Sequence, residues 1–171
     1  LASIIAAHGE IEAELWAKKL VENLARKPEG NDRAQVKAIH EGVCDVAVIN
    51  TYYFGKMKFN EKDTEQKNWA KAINLIFTNQ QDRGNHINVA GGGVVKHAKN
   101  KENAIALLEF LTQPNAQALY ATMNYEYPVN PLTELSNELK SWGRFKEDQL
   151  PVEKLAELAP IAQKIIDRVG W

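Results

Sequence analysis

Asp45-Val46-Ala47-Val48-Ile49-Asn50-Thr51-Tyr52-Tyr53 is the stretch that decides the fold. Its apolar, β-branched centre reads as a buried strand over 43–49, set off by Gly42, with a helix expected to begin at its end. Two phenols therefore stand where a strand hands over to a helix. In an open sheet with helices on its faces, ligands gather outside the carboxyl ends of the strands. Tyr52 and Tyr53 are the first candidates for ligand contact.

Working outward, residues 10–26 carry Ala13, Trp16, Ala17, Leu20, Val21 and Leu24 at three- and four-residue steps, which predicts an amphipathic helix ended by Lys27-Pro28 and Gly30. Asn31 is the expected N-cap of a second helix with Val36 and Ile39 inward, stopped by Gly42. Past the tyrosines, residues 58–68 are polar. The short apolar run 73–77 reads as a further strand, and 86–89 as another leading into Gly91-Gly92-Gly93. Residues 101–112 and 114–123 predict a helix pair, the second opened by Pro114. Residues 125–130 read as extended because Pro128 and Pro131 disfavour helix before them. A last helix is expected over 160–169, with Gly170 as its stop. This alternation is of α/β type.

The chain has 171 residues, 44% hydrophobic and 25% charged, as expected of one domain or two small lobes. A formal net charge of -1 argues against a general polyanion binder, so no nucleic-acid partner is expected. No apolar run approaches the ~20 residues that cross a bilayer, and the start shows no signal-peptide pattern. Leu1, Ile4 and Ile5 already look like apolar helix, which suggests part of a longer protein with something upstream absent. The single cysteine, Cys44, reads as a small buried filler.

Paired phenols have a chemical use. Phenolate oxygen is a hard donor suited to Fe3+, whose charge outweighs the proton's hold on a group of ordinary pKa about 10. The bland alternative is one tyrosine packed in the core and its neighbour on the surface. His8, His40, His86 and His97 are scattered, without zinc-site spacing. Gly91-Gly92-Gly93 lacks the spacing of a phosphate or dinucleotide loop and reads as a tight crossover. No nucleophile elbow or thiol-hydrolase signature is present, so an enzyme has no anchor. Tyr120, Tyr125 and Tyr127 are candidates for extra contacts, explained more simply by helix packing and strand surface.

Residues 42–57 resemble the ferric-ion-binding proteins of bacterial iron-uptake ABC transporters, including the iron-deficiency-induced proteins of cyanobacteria. Residues 26–32 (Arg-Lys-Pro-Glu-Gly-Asn-Asp), 86–98 (His-Ile-Asn-Val-Ala-Gly-Gly-Gly-Val-Val-Lys-His-Ala) and 124–131 (Asn-Tyr-Glu-Tyr-Pro-Val-Asn-Pro) resemble the same family in the same order. By that resemblance Tyr52 and Tyr53 match paired tyrosinate ligands to Fe3+. Asn50 and Thr51 flank them as hydrogen-bonding groups behind the metal, and Lys56 matches a place where some relatives carry Arg. Some members hold a small anion beside the metal, using an Asn that aligns roughly with Asp32, next to Asn31. A carboxylate at 32 would repel such an anion, so no required carbonate or phosphate is expected.

The resemblance implies a two-lobed, type II periplasmic-binding-protein-like α/β fold that closes on its ligand by a hinge. Only the second half of that fold is matched. Residues 1–83 and 134–171 would form most of the C-terminal lobe, and 84–133 a segment of the N-terminal lobe. The implied protein is a periplasmic ferric receptor, not an enzyme, with an inner-membrane ABC permease and the missing N-terminal half of the same protein as partners. Residues 84–133 are then expected to expose apolar surface. The first rival is a receptor for an organic anion or polyamine on the same scaffold, with the tyrosines as a stacking wall. The second is an α/β enzyme fragment using the three glycines as an anion hole.

Overall fold

The computed structural model describes residues 1–171. Its helices are α1 (Ala2–Glu22), α2 (Asp32–His40), α3 (Thr51–Lys58), α4 (Thr64–Lys71), α5 (Lys101–Leu111), α6 (Pro114–Leu119), α7 (Asn137–Ser141) and α8 (Val152–Val169). A π-turn over Tyr120–Asn124 extends α6. No helix is long and apolar enough to cross a membrane. The backbone divides into two compact units, the first Leu1–Glu29, Phe77–Ile87 and Phe145–Trp171, the second Gly30–Ile76 and Asn88–Arg144.

In the first unit α1 packs along α8. Ala13 and Ala17, one helical turn apart, are both fully buried and let α8 come close enough to seat Ile165, also fully buried, and Ala162. Leu158, Ile161 and Val169 extend that seam. Gly9, at φ 82, breaks α1 into two helical pieces. Trp16 and Trp171 meet edge to face, 6.1 Å between centroids, and Phe77 stacks on Phe145 at 4.3 Å. A single parallel bridge joins Asn85 to Glu147.

The second unit is built on Val36, Met57 and Ala70, contributed by α2, α3 and α4, with Ile49, Tyr53, Phe54, Trp69 and Ile73 packed around them. Asn31 caps α2 as expected, its side chain accepting from the backbone N–H of Arg33 and Ala34. The carboxylate of Glu138 ties α7 to α3, accepting from Lys58 Nζ at 2.6 Å and from Trp142 Nε1 at 2.8 Å. Buried Gln117 holds the following segment, accepting from the Val129 N–H at 2.8 Å and donating to the Leu111 carbonyl at 2.7 Å.

The expected strands are absent: 43–49, 73–77, 86–89 and 125–130 join no ladder. The reason is the lack of neighbours, since a strand is defined by the partners of its N–H and C=O groups. Residues 46–49 still alternate, with Ala47 and Ile49 half-buried while Val46 and Val48 are 75% and 93% exposed. Ile76 repeats the pattern at 77% between half-buried Leu75 and Phe77. One face of each segment is covered, whereas a parallel strand is ordinarily covered on both.

Three helix boundaries also differ. The first helix ends at Glu22, before Lys27-Pro28. The polar stretch 58–68 contains the start of α4, whose N-cap Asp63 accepts from the Glu65 N–H. The last helix begins at Val152 and runs through Pro160. A proline inside a helix removes one hydrogen bond, yet the apolar stripe Leu158, Ile161, Ala162 and Ile165 against α1 keeps the helix continuous. Cys44 is half-buried rather than a core filler.

The helix pair α5–α6 forms as expected, but α5 has no buried residue at all, and Leu107 and Phe110 are more than half exposed. Apolar surface is thus open over 84–133, as the sequence led us to expect.

If packing rather than charge joins α1 to α8, Ile165→Ala is expected to lower stability by roughly 2–5 kcal/mol in urea unfolding followed by tryptophan fluorescence. Arg168, which pairs with Glu10 and Glu14 at the surface, should leave the midpoint nearly unchanged when replaced by Ala. Similar losses from both changes would assign the contact to charge.

Candidate metal-binding site

The tyrosine pair occupies the first turn of α3. Tyr53 turns toward Met57 and the core of the second unit, which fixes its ring, and Tyr52 lies beside it with centroids 4.4 Å apart and planes tilted by 33°. Both phenols are half-buried. Arg33, on the neighbouring helix, places its guanidinium 4.7 Å above the Tyr53 ring while donating to Gln66 Oε1 at 3.1 Å. Lys56, one turn along α3, sets its ammonium 5.1 Å from the Tyr52 ring centre.

Electrostatics hold the proton on Tyr52. Its pKa is pushed up to about 12, first by its hydrogen bond with Tyr53, then by desolvation and by the negative potential of Tyr53, Asp32 and Glu126. A second negative charge in this corner is unfavourable until a cation arrives to balance it.

Asp32 and Asn50 are brought together behind the pair. Asp32 Oδ1 accepts from the Asn50 backbone N–H at 2.7 Å and from Asn50 Nδ2 at 3.1 Å. Asn31, by contrast, is occupied as a helix cap and faces its own first turn. Thr51 is the first residue of α3 and half-buried. Of the histidines, His8 meets Arg83 at 3.0 Å, and His40 ends α2. No three His, Cys, Asp or Glu side chains cluster as a metal cage.

Sequence reading missed Arg33, Glu126 and Gly55. Gly55 is buried in the middle of α3, and a Cβ there would lie 2.3 Å from Tyr125 Cγ. A glycine inside a helix costs about 1 kcal/mol relative to alanine, so its presence was a legible sign of close approach. Tyr125, itself at φ 59, uses the space to stack on Phe59 at 5.5 Å. Tyr127 packs edge to face on Trp142. These two tyrosines are engaged in packing, where a strand-surface position was expected.

Residues 16–147 match the family of bacterial extracellular solute-binding proteins. Over its whole length the chain is 43% identical to iron uptake protein A1 of Synechocystis, spanning 47% of that protein. It is 26% identical over 168 residues to the major ferric iron-binding protein of Neisseria meningitidis, spanning 48% of it. Among solved structures, a ferric binding protein from Campylobacter jejuni superposes with a TM-score of 0.94 at 44% identity, with 99% of this chain and 53% of that one covered. A Trichodesmium protein in complex with iron and citrate gives 0.93 at 45%, with 99% and 54% covered. The fold is therefore half of a type II periplasmic-binding-protein fold. The chain belongs to the ferric-binding family of bacterial extracellular solute-binding proteins and spans about half the length of the relatives it matches.

Two outcomes follow for the apo site. In an alkaline spectrophotometric titration, Tyr52 is expected to ionise well above the ordinary 10.0, and Tyr53→Phe should bring it back toward that value. Because the folded pKa is the raised one, the stability it confers is complete below pH 10.0 and is lost as pH climbs toward 12. Gly55→Ala should drive the Tyr125 ring off Phe59, seen as a loss of near-UV circular dichroism; an unchanged spectrum would refute the close contact.

Proposed function

We propose that the complete protein is a periplasmic receptor for ferric iron that delivers Fe3+ to an inner-membrane ABC permease, and that Tyr52 and Tyr53 ligate the ion as phenolates. One observation supports this above the rest: two phenols side by side on the first turn of α3, their ring centroids 4.4 Å apart and their hydroxyls hydrogen-bonded to each other. The relatives named for iron uptake and ferric binding support the same reading.

A ferric ion takes roughly six donors, and this chain offers two phenolates. The rest come from the polypeptide that corresponds to the other half of the relatives, from water or from a small anion. Asp32, whose carboxylate faces Asn50, makes a required anion at that position unfavourable. Asn50, Thr51 and Lys56 act behind the ligands, Asn50 by hydrogen bonding and Lys56 by its charge. In the complete protein, 1–83 with 134–171 would make up most of one lobe and 84–133 part of the other, and hinge closure would bring the donors together. The uncovered face of α5 and the open sides of 46–49 and 73–77 are where the other half would pack. Release would follow reopening, reduction of iron or proton competition for the phenolates.

The test is a ferric titration followed by visible absorption. A tyrosinate-to-iron band is expected with the complementary half supplied, weak or absent without it, and reduced by Tyr52→Phe and by Tyr53→Phe. Binding of a hydrophobic dye should fall when that half is added. No band even in the complete protein would hand the site to an organic anion or polyamine.

A further inference from the structure

Asn50 stands at the N-cap of α3, where an asparagine ordinarily turns its side-chain oxygen onto its own helix. Here it makes no such bond. Its amide is engaged sideways at both ends, Nδ2 donating to Asp32 Oδ1 at 3.1 Å and Oδ1 accepting from Asn88 Nδ2 at 2.7 Å. Its backbone is held as well, the N–H by Asp32 at 2.7 Å and the carbonyl by the Tyr53 N–H at 3.1 Å. We propose that Asn88 is a positioning residue for the tyrosine pair, acting through Asn50 and Asp32.

The polarity of this relay is fixed by chemistry. A carboxylate only accepts, so Asn50 must present its NH2 to Asp32 and its oxygen to Asn88, and Asn88 must then present its own NH2. The amide of Asn50 cannot flip without losing Asp32. Tyr52 and Tyr53 follow Asn50 closely on the same turn, so any swing of Asn50 swings both phenols. Asn88 packs in the same compact unit as α3, close to the boundary proposed above between the lobes, and leads into the glycine run 91–93. It is exposed, so the contact competes with water and works as a soft clamp rather than a core support. This role deepens the ferric reading, on which its metal readout rests.

The experiment uses an isosteric change. Asn88→Asp keeps the size of the side chain but sets an acceptor against Asn50 Oδ1. Two readouts are taken: hydrogen exchange of the Asn50, Tyr52 and Tyr53 amides in the metal-free protein, and ferric affinity with band position in the complete protein. Asn88→Asp is expected to speed exchange at the start of α3, to weaken ferric binding about tenfold and to shift the band, with the thermal midpoint unchanged. Asn88→Ala, which removes the donor without setting an acceptor in its place, should speed the same exchange by less than Asn88→Asp does. Exchange unaltered in Asn88→Asp, or speeded no more than in Asn88→Ala, overturns the proposal. If wild-type protein forms no ferric band, the ferric reading fails and exchange alone decides the relay.

Discussion

An extended segment cannot be stable by itself, because every second backbone group along it needs a partner from a neighbouring strand. That requirement governs this molecule. Its four strand-like segments have almost no neighbours, with one bridge between Asn85 and Glu147, so the fold is carried by helices. Each unit assembles around the helix contacts that are complete within it: Ala13, Ala17 and Ile165 in one, Val36, Met57 and Ala70 in the other. Residues 46–49 and 73–77 survive as ordered connections with one side covered, Ile49 and Ile73 lying on the helices of the second unit, and their burial alternates along the chain.

The site depends on the same economy. Tyr53 and Met57 share a face of α3, so the core that stabilises the second unit also orients one phenol. Tyr52 is placed by what surrounds it: a neighbouring ring, a lysine one turn on and two carboxylates within electrostatic reach. Packing fixes the first tyrosine and charge tunes the second. The two rings are thus held in place by the fold itself, which lowers the reorganisation needed when a ligand binds.

Much of this was legible in the residues. The placement of Tyr52 and Tyr53 at the start of a helix came from an apolar run ending in Asn50, and the Asn31 cap and the α5–α6 pair came from capping and periodicity. The strands were not recoverable as ladders, because hydrogen bonding between segments distant in sequence depends on partners outside the segment being read. α4 was hidden by its polar composition, with only Asp63 at its cap to mark it. α8 was shortened at Pro160 because a local rule about proline was weighed without the tertiary contact that overrides it. Within the site, Asp32 was read for its charge, and its bonds to Asn50 emerged only from the geometry, as did Arg33 over Tyr53.

The first unit is closed by two helices far apart in sequence, α1 and α8. Arg168 reaches Glu14 across 154 positions of sequence, so α1 and α8 meet only after the intervening chain has been gathered in. The entropy of such a closure grows only logarithmically, with each doubling of the loop adding about 0.6 kcal/mol. Insertions in the exposed loops of the second unit would therefore hardly weaken the α1–α8 seam.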